Sequence, residues 1–150
     1  MVKVGLHAPD GEFETMWATP VGPERYRLEN SPFYGYGVSW LDIVEARPED
    51  PGGFPVVVRC VEKSGHRTLR VILLPGVEEA PEQQSVLEAL SGLGCSYEGY
   101  NPRYFSIDIP PGVAMDPVVD YLTRHQHQWE YVDPTYDEVY GVSSSTADRK

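Results

Sequence analysis

Around Arg70 the hydrophobic pattern of this chain changes period, and that change limits its fold more than any other feature. Upstream of Arg70 there are only short alternating runs broken by Gly, Pro and Asn, the pattern of brief, strongly twisted strands. Downstream the order reads strand, helix, strand, strand, helix, strand, which is the split βαβ pattern of a ferredoxin-like unit. The expectation is an α+β protein. An N-terminal small β-barrel-like half over residues 1–69 precedes a ferredoxin-like βαββαβ half over 70–140, packed as one unit, with a disordered tail at 141–150.

The upstream elements follow from turn chemistry. Residues 2–6 form a short strand, and the alternating runs 12–18 and 25–29 read as a hairpin turned by Pro20, Gly22 and Pro23. Asn30-Ser31-Pro32 breaks that pattern and introduces an aromatic loop, Phe33-Tyr34-Gly35-Tyr36-Gly37. A turn through Val38-Ser39-Trp40-Leu41-Asp42 then feeds the strand Ile43-Val44-Glu45-Ala46. Residues 55–63 and 66–74 read as a second hairpin closed by Ser64-Gly65. With a two-residue loop, counting sets Arg59 opposite Arg70 and gathers Val56, Val58, Cys60, Leu69, Val71 and Leu73 on one inner face.

Downstream, a helix from Pro81 carries Val86, Leu87, Leu90 and Leu93 at amphipathic spacing. Strands at 95–99 and 103–109 follow, the second with Phe105, Ile107 and Ile109 inward. Asp116-Pro117 reads as an N-cap carboxylate followed by proline at the first helical position. Trp129-Glu130-Tyr131-Val132 is the last strand.

Net charge is -11, from 12 basic and 23 acidic residues. Such a field repels phosphate backbones, so nucleic acid is disfavoured and a basic protein or peptide is the natural complement. No stretch approaches the apolar length of a membrane span, and the start lacks a signal-peptide core, so a cytoplasmic location is expected. Cys60 and Cys95 lack CxxC spacing and read as reduced, buried thiols. His7, His66, His125 and His127 are scattered, so the sequence calls for no metal and no cofactor.

Two groups of residues remain as binding candidates. Arg59, Lys63, Arg67 and Arg70 place a third of the cations on one short ribbon, where like charges in opposition ask for an anion from outside. Internal neutralisation by Glu45, Asp42 or acidic helix residues is the competing explanation. Phe33, Tyr34, Tyr36 and Trp40 form the second group. Phe33 and Trp40 are expected to plug the open end of the barrel, and Tyr34 and Tyr36 to be exposed. An enzyme would have to recruit His66 as a base oriented by Asp42 or Glu62, but no nucleophile motif accompanies it. His125 and His127, at the end of the second helix, suit cations that complement its dipole.

The runs Tyr26-Arg27-Leu28-Glu29-Asn30-Ser31-Pro32-Phe33, Tyr36-Gly37-Val38-Ser39-Trp40-Leu41-Asp42-Ile43-Val44-Glu45-Ala46, Ser64-Gly65-His66-Arg67-Thr68-Leu69-Arg70-Val71 and Leu93-Gly94-Cys95-Ser96-Tyr97-Glu98-Gly99 resemble a bacterial domain-of-unknown-function family, the one numbered 4265. The resemblance spans residues 10–132 and implies no reaction or ligand.

The reading is a non-catalytic binding or regulatory protein, of immunity type in one version, for a protein or peptide partner. Its candidate contact residues are Tyr34, Tyr36, Trp40, Asp42, Arg59, Lys63, His66 and Arg70. The alternative is a small enzyme or small-molecule binder with a pocket between the halves, lined by Trp17, Tyr36, Trp40, Asp42, His66 and Arg70.

Overall fold

The alternating runs before residue 63 form five strands, β1 (Val2–His7), β2 (Phe13–Gly22), β3 (Arg25–Leu28), β4 (Ile43–Pro48) and β5 (Pro55–Glu62). This is a computed structural model, and it describes residues 1–76 and 81–141. Neighbouring strands pair antiparallel in chain order, and β1 also pairs in parallel with β5 at Gly5 and Val56, so the sheet closes on itself. Its interior is filled by Val4, Leu6, Met16, Ala18, Leu28, Val38, Val44 and Ala46.

A second, four-stranded antiparallel sheet has the order β7-β8-β6-β9, from β6 (Arg67–Ile72), β7 (Ser96–Asn101), β8 (Tyr104–Ile109) and β9 (Gln128–Asp133). Helices α1 (Glu82–Gly92) and α2 (Asp116–Arg124) cover one face. Leu69, Val71 and Leu73 meet Phe105, Ile107 and Ile109 there, under Val86, Leu90, Val118 and Leu122. The molecule is therefore mostly β with few helices, α+β overall. A short α3 (Tyr136–Tyr140), which the sequence reading lacks, starts at a capping box between Thr135 and Glu138. The expected tail lies, from residue 142, outside the described residues.

The expected hairpin between β5 and β6 does not form. β5 closes the first sheet, while β6 pairs on both sides within the second, with β8 and β9. Ser64 explains why the chain passes on instead of folding back. Its N–H donates to Asp42 Oδ1 (2.8 Å) and its hydroxyl to the Trp40 carbonyl (2.7 Å), which pins the segment to the β3–β4 loop. Gly65, at φ 97°, then turns the chain toward the other sheet. Register shifts in the β4–β5 ladder between Ile43 and Val44, and between Glu45 and Ala46, break the alternation of β5. Val58 is thereby exposed instead of joining the core.

The two apolar cores are joined by a polar seam. The segment between β3 and β4 lies across the face of the second sheet that the helices leave open. Ser31, Ser39, Asp42, Thr68, Arg70, Ser106, Asp108 and Asp133 are all buried along this junction. Each is hydrogen-bonded, as burial away from water requires.

Candidate functional site

The aromatic loop owes its shape to two charged side chains of opposite sign. From β2, Glu14 accepts from the N–H groups of Phe33 (2.9 Å), Tyr34 (2.8 Å) and Gly35 (2.7 Å). From β6, Arg70 donates to the carbonyls of Gly35 (2.8 Å), Pro32 (3.4 Å) and Tyr34 (3.4 Å), and through Nε to Glu130 of β9 (3.1 Å). Arg70 is only 2% exposed. Its guanidinium lies 4.6 Å from the Tyr36 ring centre, and the Tyr36 hydroxyl donates to the other Glu130 oxygen (2.7 Å). Burial, then the bond to Glu130, pushes the Tyr36 phenol above its ordinary pKa.

Beside this clamp a cleft of about 600 Å³ opens at the end of β6 and β9, lined by Tyr34, Arg70, Ile72, Tyr104, Gln128 and Glu130. A smaller recess of about 170 Å³ shares Tyr34, Arg70, Tyr104 and Glu130 with it and is rimmed by Asp10 and Glu12. Tyr104 donates its hydroxyl to the Phe33 carbonyl, and its ring meets those of Phe33 (6.0 Å), Tyr34 (6.3 Å) and Tyr100 (5.6 Å). A hydrogen bond with Tyr100, together with burial, pushes the Tyr34 phenol up to about 12.

The other sequence candidates fall into separate places. Lys63 donates to Asp42 (2.9 Å), to Asp133 (2.7 Å) and to the Gly37 carbonyl (2.9 Å), so one ammonium ties two buried carboxylates across the seam. Burial lowers the Lys63 pKa, but bonds to Asp133 and Asp42 outweigh it and leave the group raised. Ser39 also donates to Asp133 (2.6 Å). His66 lies 2.8 Å from Asp108, not beside Asp42 or Glu62, with Trp40 edge-on at 5.0 Å. Arg59 pairs with Glu45 (2.8 Å) on the outside of the first sheet.

Several expectations are corrected by this arrangement. Arg59 and Arg70 are not neighbours, because their strands belong to different sheets, and the cationic ribbon disperses among internal partners. Tyr34 and Tyr36 are half-buried, since the loop folds onto the second sheet. Phe33 and Trp40 do not plug the closed sheet; Phe33 packs at a tilt against Tyr100 and Tyr104, Trp40 meets His66 edge-on, and Val38 fills the interior. The six-residue pocket fails to assemble, because Trp17 points outward from β2 beneath Lys3 and Asp42 is consumed in the seam. His127 is no cation either: its Nδ1 accepts from the Leu74 N–H (3.1 Å), and burial, then His125, lowers its pKa.

Glu14, Tyr104, Gln128 and Glu130 were missed by sequence reasoning. For Glu130 and Gln128 a signal existed, since alternation in β9 turns them away from Trp129 and Tyr131, which pack toward the helices. Nothing local marks Glu14. Among the described residues no three His, Cys, Asp or Glu side chains are grouped to hold a metal ion, and no helix is long and apolar enough to cross a membrane.

Comparison with solved structures finds the same fold in a hypothetical protein from Neisseria gonorrhoeae. It is 15% identical, with 87% of this chain and 92% of that one covered at a TM-score of 0.72. No curated protein matches the sequence. A family model described as Domain of unknown function (DUF4265) matches residues 14–131. That span contains Glu14, the aromatic loop, Asp42, Arg70 and Glu130, so the whole clamp lies inside it, as does the seam except for Asp133. Since the match takes in most of both sheets and both helices over them, the chain belongs to the DUF4265 family.

Proposed function

We propose that this chain is a non-catalytic binding protein that receives an extended segment of a partner protein at the cleft beside the clamped loop. The observation that carries the reading is that the cleft, which spans the ends of β8 and β6, also reaches the edge strand β9 at Gln128 and Glu130. Among the described residues β9 pairs with β6 alone, and near its far end the Gly37 N–H meets the Val132 carbonyl (2.9 Å). An extended peptide laid along the remaining edge at Gln128–Glu130 would make main-chain bonds there and hang alternate side chains into the cleft. The loop is held from both polarities of its backbone, which supports a preformed site with little ordering cost on binding.

On this reading the first sheet is a small barrel-like half and the second, with its β7-β8-β6-β9 order and two intervening helices, a ferredoxin-like half. The halves act as one unit because Arg70 and Lys63 join them. Cytoplasmic location belongs to the same proposal.

The test is selection of a displayed library of linear peptides against the full chain, repeated with Gln128→Trp, which fills the cleft. Enrichment that disappears with Gln128→Trp, and protection of the β9 amides from exchange by a selected peptide, are expected. Enrichment indifferent to Gln128→Trp overturns the reading. A small-molecule ligand is the second reading, favoured by a cavity volume that lies within the range of ligand pockets. His66, the base that its enzyme version would recruit, does not line the cleft.

A further inference from the structure

We infer that the recess between the aromatic loop and the Asp10–Glu12 segment is a cation subsite, taking the ammonium or guanidinium head of a Lys or Arg side chain. The inference rests on the peptide-binding reading above and names the side-chain chemistry that reading leaves open.

The argument is an inventory of donors and acceptors. Of the side-chain donors around the recess, most are spent inside the protein. Tyr36 gives its hydroxyl proton to Glu130, Tyr104 gives its own to the Phe33 carbonyl, and Arg70 serves Glu130 and three loop carbonyls. Acceptors are in surplus. Each Glu130 oxygen takes one of these bonds and keeps lone-pair capacity, and its side chain remains 35% exposed. A ligand that brings hydrogens therefore finds more open partners here than one that brings lone pairs.

Charge points the same way. Asp10, Glu12 and Glu130 bring three carboxylates to the lining, against the single cation Arg70. Arg70 is 2% exposed and faces Tyr36 and backbone carbonyls, so the groups open to an incoming ligand are the acids and the ring faces. Tyr34, Tyr36 and Tyr104 line the recess, and aromatic walls attract ammonium and guanidinium heads through the ring quadrupole. The recess of about 170 Å³ adjoins the larger cleft of about 600 Å³, with which it shares Tyr34, Arg70, Tyr104 and Glu130. The stem of a long basic side chain thus has apolar wall to run along before its head reaches the acids. The chain's net charge of -11 steers such a partner toward the site.

The experiment captures capped peptides on the full chain from pools that carry Lys, Arg, norleucine or Glu at one position and mixtures elsewhere. Lys and Arg pools should be retained at least about tenfold better than norleucine, the scale of one charge-assisted contact. Asp10→Asn with Glu12→Gln, both exposed positions, should remove that preference while near-UV circular dichroism stays unchanged. Glu130→Gln should do so more strongly, and its partnership with Arg70 is why the rim variant is needed beside it. Norleucine pools held as well as Lys pools overturn the cation subsite and leave the peptide-binding reading standing. Preference for Glu pools also overturns it. Retention of no pool overturns both.

Discussion

Glu14 and Arg70 hold one loop by its two polarities. The carboxylate collects the N–H groups of Phe33, Tyr34 and Gly35, and the guanidinium collects the carbonyls of Pro32, Tyr34 and Gly35. One charge comes from the first sheet and the other from the second, so the loop closes the junction as well as shaping the cleft. A loop that can satisfy its own backbone needs no such help; this one buries its turn and must be satisfied from outside.

Glu14→Gln is the direct test of that clamp. The amide keeps one acceptor oxygen but turns two donors toward N–H groups that need acceptors. A loss of about 1–3 kcal/mol is expected for stranding buried amides. Urea denaturation measures it, and hydrogen exchange at Phe33, Tyr34 and Gly35 should accelerate more than elsewhere in the chain. Unchanged exchange at those three amides would remove Glu14 from the account.

Alkaline pH should unfold the protein through groups whose folded pKa is raised. Tyr34 and Tyr131 are pushed up to about 12, Tyr34 mainly by its bond with Tyr100 and Tyr131 mainly by burial, and Lys63 is raised as well. In each case the folded chain holds its proton longer than the unfolded one, whose tyrosines titrate near ~10. Their contribution is complete below about pH 10 and is lost as pH climbs toward the folded values. Unfolding free energy should therefore stay level up to that point and fall steeply beyond it, with tyrosinate absorbance appearing late in the folded state. Early, complete tyrosinate formation without unfolding contradicts the sign.

The acid side carries the reverse sign. His127 is an acceptor for the Leu74 N–H and its folded pKa is lowered, by burial first and then by His125. Its stabilisation is present above about pH 6.5, the unfolded value, and is lost as pH falls through the lower folded one. Glu29, lowered chiefly by its bond from the Thr19 hydroxyl (2.7 Å), acts in a separate window beginning near pH ~4.3. His127→Gln offers an amide oxygen that does not titrate. It should flatten the stability profile in the histidine window and leave the lower limb intact, as read by denaturation at a series of pH values.

The downstream half was legible because its elements carry their own periodicity. Val86, Leu87 and Leu90 mark α1, and Phe105, Ile107 and Ile109 mark β8, without reference to anything distant. The β5–β6 junction was not legible for the opposite reason. Ser64-Gly65 has the composition of a tight turn, and only the distant acceptors Asp42 and Trp40 make it a crossing between sheets. Once that turn is misread, Arg59 and Arg70 are paired by counting, and the site is drawn on the wrong ribbon. The residues that do shape the cleft, Glu14 and Glu130, are charged side chains in ordinary alternating strands. Their role exists only after two sheets meet, and no local pattern encodes it.

The tightest point of that meeting is Gly35, which is buried and whose added Cβ would run into the side chain of Leu6 in the first core. Its N–H faces Glu14 and its carbonyl faces Arg70, so the residue is fixed on both sides and has no room to retreat. Gly35→Ala must displace either Leu6, which is packed against the closed sheet's interior, or the loop itself. An overpacking cost of about 1–3 kcal/mol is expected. The two outcomes differ in readout. Movement of Leu6 lowers stability but leaves peptide capture at the cleft intact, whereas movement of the loop weakens both together by separating Tyr34 and Tyr36 from Arg70. The geometry favours the first, because the contact is with the Leu6 side chain, whereas charge-assisted bonds from Glu14 and Arg70 hold the loop backbone in place. A variant as stable as the parent, with capture unchanged, would show that the loop does not bear on Leu6 as described.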